Sequence, residues 1–127
     1  MHSRTMLATL IARMEGFGKP GAIPTVRHNP GDLRHGPHAH HPGDPNAVGT
    51  YDSDAEGWDD LERQLGLYAA RGMTLREMVA IYAPPSENDT LNYLNFICDA
   101  LGLAAETPVS VALKIPAASG GNPGEAA

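Results

Sequence analysis

Apolar residues recur at three-and-four spacing in several stretches of the chain, and between Gly16 and Gly49 the period disappears. The first stretch holds Met6, Leu7, Leu10, Ile11 and Met14, one face of a helix. Ser3 is placed to cap it and Gly16 and Gly18 to stop it, which predicts a helix over residues 3–15. A second helix is expected from Ser53 or Asp54 to about Arg71, with Glu56 placed for a capping box and Gly72 beyond the end. Its apolar face is Trp58, Leu61, Leu65 and Tyr68. A third, short helix follows the cap Thr74, carries Leu75, Met78, Val79 and Tyr82, and ends before Pro84-Pro85. The fourth starts near Asn88 or Asp89, is expected to bury Leu91, Leu94, Ile97 and Leu101, and stops at Gly102. Thr107-Pro108 opens a last short helix toward Leu113, with proline at its first position.

Thirteen residues from Gly16 to Gly49 are Gly or Pro. Proline removes the donors that ladders and helices need, so a long ordered loop or short ribbon is expected there, not regular structure. Ile23, Val26, Leu33 and Val48 are its apolar anchors, and Asn29-Pro30-Gly31-Asp32 is a turn former with proline second. Such a loop in so small a domain is usually either functional or disordered, and its turn and anchor residues favour order. From Pro116 onward no large apolar residue occurs, and disorder is expected. The predicted architecture is all-α: a small bundle of four to five helices with a Gly/Pro-rich loop after the first. Its folded domain is expected over residues 1–115 and its tail over residues 116–127.

Composition then narrows the partners. The chain has 127 residues, the length of one small domain, and 9 Lys+Arg against 15 Asp+Glu give a net charge of -6. Binding that depends on phosphate neutralisation is not expected, so nucleic acid is set aside. The apolar run over residues 6–12 is too short to span a bilayer and poorly shaped as a signal peptide. Membrane insertion is not expected; synthesis in the cytoplasm as a monomer is. Cys98, the single cysteine, excludes an intramolecular disulfide and a cysteine-only metal site, and its apolar neighbours suggest an inert buried thiol.

Glu15 is the first candidate for chemistry. It ends the first helix at the edge of the apolar stripe, where partial burial and the helix dipole both favour the protonated carboxyl. That suits a general acid near neutral pH. On the residue alone, a solvated helix-end glutamate is the competing reading.

The motifs around Glu15 shift that balance. The segment Glu15-Gly16-Phe17 is followed by Arg27-His28-Asn29-Pro30-Gly31-Asp32-Leu33-Arg34, then by Tyr51 and Glu56-Gly57-Trp58. Last comes Tyr82-Ala83-Pro84-Pro85-Ser86-Glu87-Asn88-Asp89-Thr90, with Tyr93. This series resembles lysozyme-like domains of phage and prophage proteins, whose pattern is E-G-F, R-N-N-P-G-N-L-R, a helix start ending in G-W, and Y-A-P-P-S-E-N-D-T…Y. The resemblance covers roughly residues 6–103. More distantly the layout is similar to soluble lytic transglycosylases and goose-type lysozymes. It implies a lysozyme-like fold and cleavage of the glycan strand of peptidoglycan at the MurNAc-GlcNAc bond, with Glu15 as acid and then base. It also implies that Asn29, Thr90 and Tyr93 support the reaction. Asp32 departs from the asparagine of N-P-G-N-L and would change the charge beside a substrate. A two-carboxylate hydrolase needs a second acid, for which Asp32, Asp44, Asp52 and Asp54 are candidates, whereas a transglycosylase needs only one. Arg27 and Arg34 are placed to meet substrate carboxylates or carbonyls with a guanidinium fork, and Tyr82 can offer a hydroxyl to a cleft.

Histidine supplies a rival feature. His28, His35, His38, His40 and His41 fall close together, a composition that suits a transition metal, but no helical i, i+4 pair frames them. No metal and no cofactor are therefore expected, and these are read as surface histidines. Charge is divided as well. Four cations and two acids lie between Arg13 and His41, while six acids and no cation lie between Asp52 and Glu62. The first segment is expected to face an anionic polymer such as peptidoglycan, the second to be a solvated helix face. Two alternatives to the enzyme stay open: a non-catalytic wall-binding or prophage structural module on the same fold, and a histidine-loop metal-binding protein.

Overall fold

A computed structural model describes residues 4–43, 47–84 and 89–117. Six helices occur among the described residues: α1 (Met6–Glu15), α2 (Ile23–Val26), α3 (Asp54–Ala70), α4 (Leu75–Tyr82), α5 (Thr90–Leu101) and α6 (Val109–Ala112). The all-α class stands. Two of the six are single turns, and one of these, α2, lies in the stretch expected to lack regular structure. Pro24 explains it, since a fixed φ and a missing N–H suit the first turn of a helix. Ser3, Asp44, the segment 85–88 and the tail 118–127 lie outside the described residues.

The chain divides into two compact units, Arg4 with Ala8–Gln64 and Thr5–Leu7 with residues 65–117. In the first, Leu10, Ile11, Leu33, Tyr51 and Leu61 are buried. The long connection between α1 and α3 is tied to itself. Its Asn29 amide is wholly buried and donates to the carbonyls of Leu33 and Gly49, both at 2.8 Å, while its oxygen accepts from Leu33 N–H at 2.9 Å. Gly49 N–H donates to the Leu33 carbonyl, and His40 and Thr50 exchange two backbone hydrogen bonds of 2.8 Å each. Of the four expected anchors only Leu33 is buried; Val48 is half-buried, and Ile23 and Val26 are exposed. Pro24 and Pro30 take their place, because the one-turn α2 directs Ile23 and Val26 outward.

The 28–31 segment lies directly on α3. A Cβ on Gly57 would collide with the His28 carbonyl oxygen and stand 2.7 Å from Pro30 Cδ, and one on Gly31 would stand 2.7 Å from Leu61 Cδ1. Glycine at these places permits the approach.

In the second unit Leu75, Met78, Val79, Tyr93, Leu94, Ile97, Val109 and Ala112 are buried, and α4 packs against α5. The start of α4 shows how helix ends are satisfied. Leu75 and Arg76 N–H donate to the Thr107 and Ala105 carbonyls, and Thr74 and Glu77 form a reciprocal capping box. Asp89 caps α5, and Gly102 ends it with φ +69°. Leu91 was expected in the core but is 62% exposed, and Tyr93 is buried instead. Both fit a helical period, and the aromatic side won. Pro108 is the residue before α6, not its first. Pro116 pairs with Thr5 across an isolated bridge, and Met6 N–H donates to the Ile115 carbonyl, so order extends past the expected boundary at 115.

Candidate functional site

Glu15 is the last residue of α1 and is half-buried. The chain then turns sharply: Gly16 has φ +91°, and Phe17 N–H donates to the Ala12 carbonyl at 2.9 Å. Only glycine adopts that backbone without strain. Phe17 then meets the Trp58 ring edge-on at 5.5 Å, and the Arg4 guanidinium lies 4.0 Å from the centre of the same indole. Glu15 thus ends a helix whose exit is fixed by aromatic packing on α3. Gly18 N–H donates to the Thr25 hydroxyl at 2.8 Å and pins the next turn.

The Arg27–Arg34 run is mainly scaffold. Arg27 donates from a terminal guanidinium nitrogen to the Val48 carbonyl at 2.7 Å, and its own carbonyl accepts from Tyr51 N–H at 2.9 Å. Arg27 therefore ties the connection together, in place of presenting a free fork. Asn29, buried and spent on backbone groups, holds the turn rather than meeting a ligand. Arg34 is exposed. His28 and Asp32 have φ +53° and +50°, the left-handed region, which asparagine, aspartate and histidine tolerate best. Both positions thus carry a side chain suited to that backbone. Burial raises the Asp32 pKa above its ordinary value, against the opposing pull of Arg27 and then Arg34.

The other named residues belong to the second unit. The Thr90 hydroxyl donates to the Ala83 carbonyl. Tyr93 is buried and stacks on Tyr82 at 6.5 Å, and Tyr82 meets Tyr68 edge-on at 6.5 Å.

His28, His35, His38 and His40 are exposed, as expected of surface histidines, but three of these rings face carboxylates. His28 Nδ1 lies 2.8 Å from Asp54, His38 Nδ1 2.7 Å from Asp60, and His40 Nε2 3.5 Å from Asp52. The acidic segment is thus not simply a solvated face. Asp60 is 2% exposed, and it also accepts from the backbone N–H of His38 at 3.0 Å. Its place on α3 explains the burial: Gly57, Asp60, Leu61, Gln64, Leu65 and Tyr68 form one three-and-four stripe, and Asp60 lies within it. That period was the signal that sequence reading passed over. The Tyr51 phenol stands close enough to Asp60 to feel its charge, though outside regular hydrogen-bond geometry. Burial, and then Asp60, push its pKa well above the tyrosine range. No group of three or more His, Cys, Asp or Glu residues among the described residues is arranged to hold a metal. Compared with protein-family models, curated proteins and solved structures, the chain matches none.

Proposed function

We propose that this protein cleaves the glycan strand of peptidoglycan as a muramidase or lytic transglycosylase, with Glu15 as the acid/base. The observation that carries this reading is the setting of Glu15: a half-buried carboxylate ending α1, followed by left-handed Gly16 and by Phe17 packed on Trp58. The four motif pieces that resemble lysozyme-like domains occur in order around it. In this reading Glu15 protonates the glycosidic oxygen and then takes a proton from the attacking group. That group is water in a hydrolase and the sugar's own hydroxyl in a transglycosylase. Asp32 and Arg34 are the residues of the connection closest in kind to a polar substrate, and Tyr82, Thr90 and Tyr93 belong to the proposal only as the resemblance names them.

A second reading draws on a specific observation. Asn29, Thr90 and Tyr93 are buried or committed to backbone carbonyls, which suits a wall-binding module that keeps the scaffold without the reaction. One experiment separates the two. Wild-type protein should clear a suspension of purified cell walls, and Glu15→Gln, with unchanged circular dichroism, should not. Mass spectrometry of the released glycans then tells reducing from 1,6-anhydro ends. Wild-type turnover by the Gln variant would refute the role of Glu15. Binding to walls without clearing by the wild type would favour the module.

A further inference from the structure

In the connection between α1 and α3 the Asn29 amide holds the Leu33 and Gly49 carbonyls together. Three histidine–aspartate pairs join residues 28–40 to the acidic stretch at residues 52–60, which runs into the first two turns of α3. They are not equivalent. Asp54 and Asp52 are largely exposed, and ion pairs in water contribute little. The Asp60 side chain is 1% exposed, while its partner His38 reaches it from a ring that is 44% exposed. A buried carboxylate needs compensation, and His38 supplies it twice, through its backbone N–H and through Nδ1–H.

We propose that His38 and Asp60 form a proton-operated clasp that holds the backbone around His38 on α3 when the imidazole is charged and slackens when it is neutral. The neutral ring still donates from Nδ1 in one tautomer, but a charge-assisted hydrogen bond is roughly twice as strong as a neutral one. Losing the proton therefore weakens the clasp without abolishing it. The charged groups facing His38 are the carboxylates of Asp60, Glu56 and Asp59, all on α3, and the Tyr51 phenol stands beside Asp60. All three carboxylates favour the imidazolium, and the hydrogen bond to Asp60 is the largest cause of a His38 pKa above its ordinary value. The sign follows from that direction. The contribution is complete below the pKa of a free histidine and is lost as pH rises through the higher value in the folded protein. The clasp does not depend on the protein being an enzyme.

Amide hydrogen exchange, corrected for intrinsic rates, reads it directly. Between about pH 5.5 and about pH 8.5, on either side of an ordinary histidine pKa, protection at His40 and Thr50 should fall several-fold in the wild type. The midpoint should coincide with the His38 ring titration followed by NMR. In His38→Gln, which donates but does not titrate, the fall should shrink to a small residue. In Asp60→Asn the His38 titration should move down toward that of a free histidine. Should Asp60→Asn fail to fold, the wild type and His38→Gln still decide the matter. Equal protection at both pH values, or an undiminished fall in His38→Gln, would overturn the clasp.

Discussion

Asn29 and Asp32 stand three residues apart and do opposite things for stability. Asn29→Ala would leave the Leu33 and Gly49 carbonyls and the Leu33 N–H without their partner in a buried place. The expected cost is about 3 kcal/mol, measurable as a lower urea midpoint. Asp32→Asn should do the reverse. It removes a carboxylate that burial disfavours in its charged form and places asparagine at a left-handed φ. A gain of about 0.5 kcal/mol at pH 7 is expected, vanishing in acid where Asp32 is already protonated. Thr90→Val removes the donor to the Ala83 carbonyl and should cost about 1 kcal/mol, with Thr90→Ser restoring it. If Thr90 instead took part in turnover, clearing per folded molecule would drop while the melting temperature held. The turn, the glycines and the asparagine were all visible in the sequence as local chemistry. What Asn29 bonds to was not, because Gly49 is brought to it by the fold.

At the scale of elements, α3 offers a matched pair of glycines. Gly57→Ala gains about 1 kcal/mol of helix propensity but drives a methyl into the His28 carbonyl and Pro30. Overpacking of that kind costs about 1–3 kcal/mol, and the partner here is backbone, so the net effect should be destabilising. Gly66 is exposed with nothing within 4 Å of a Cβ, so Gly66→Ala should stabilise by up to about 1 kcal/mol. Shifts of opposite sign in denaturation midpoint would show that the loop truly rests on Gly57. Helices α3, α4 and α5 were legible because period, cap and stop signal agreed at each. The short α2 was not, since four residues carry no period, and proline signals a break as readily as a helix start. The pairing of the histidines with the acids was hidden for another reason. Each looked like a surface cluster on its own, and the one sequence sign of their pairing was the apolar stripe that takes in Asp60.

At the scale of the whole molecule, the fold shifts the pKa values of Asp32, His38, Tyr51 and Cys98 upward. For Cys98 burial is the largest cause, which also makes it a slow thiol toward alkylating reagents. The folded chain thus holds these protons more tightly than the unfolded chain, and stability should decline as pH rises through each window. From about pH 5.5 to about pH 8.5 the melting temperature should fall, with a smaller fall in His38→Gln. A melting temperature that rises over that range in the wild type would contradict this account. The bridge between Thr5 and Pro116 has a different consequence. Contacts so distant in sequence form late, because the chain must first close a large ring. Once formed, they hold the backbone at Thr5 and Pro116 side by side, so the chain enters and leaves the intervening stretch through one doorway. Such a cassette can be spliced into a surface turn of a host protein without prising the host apart.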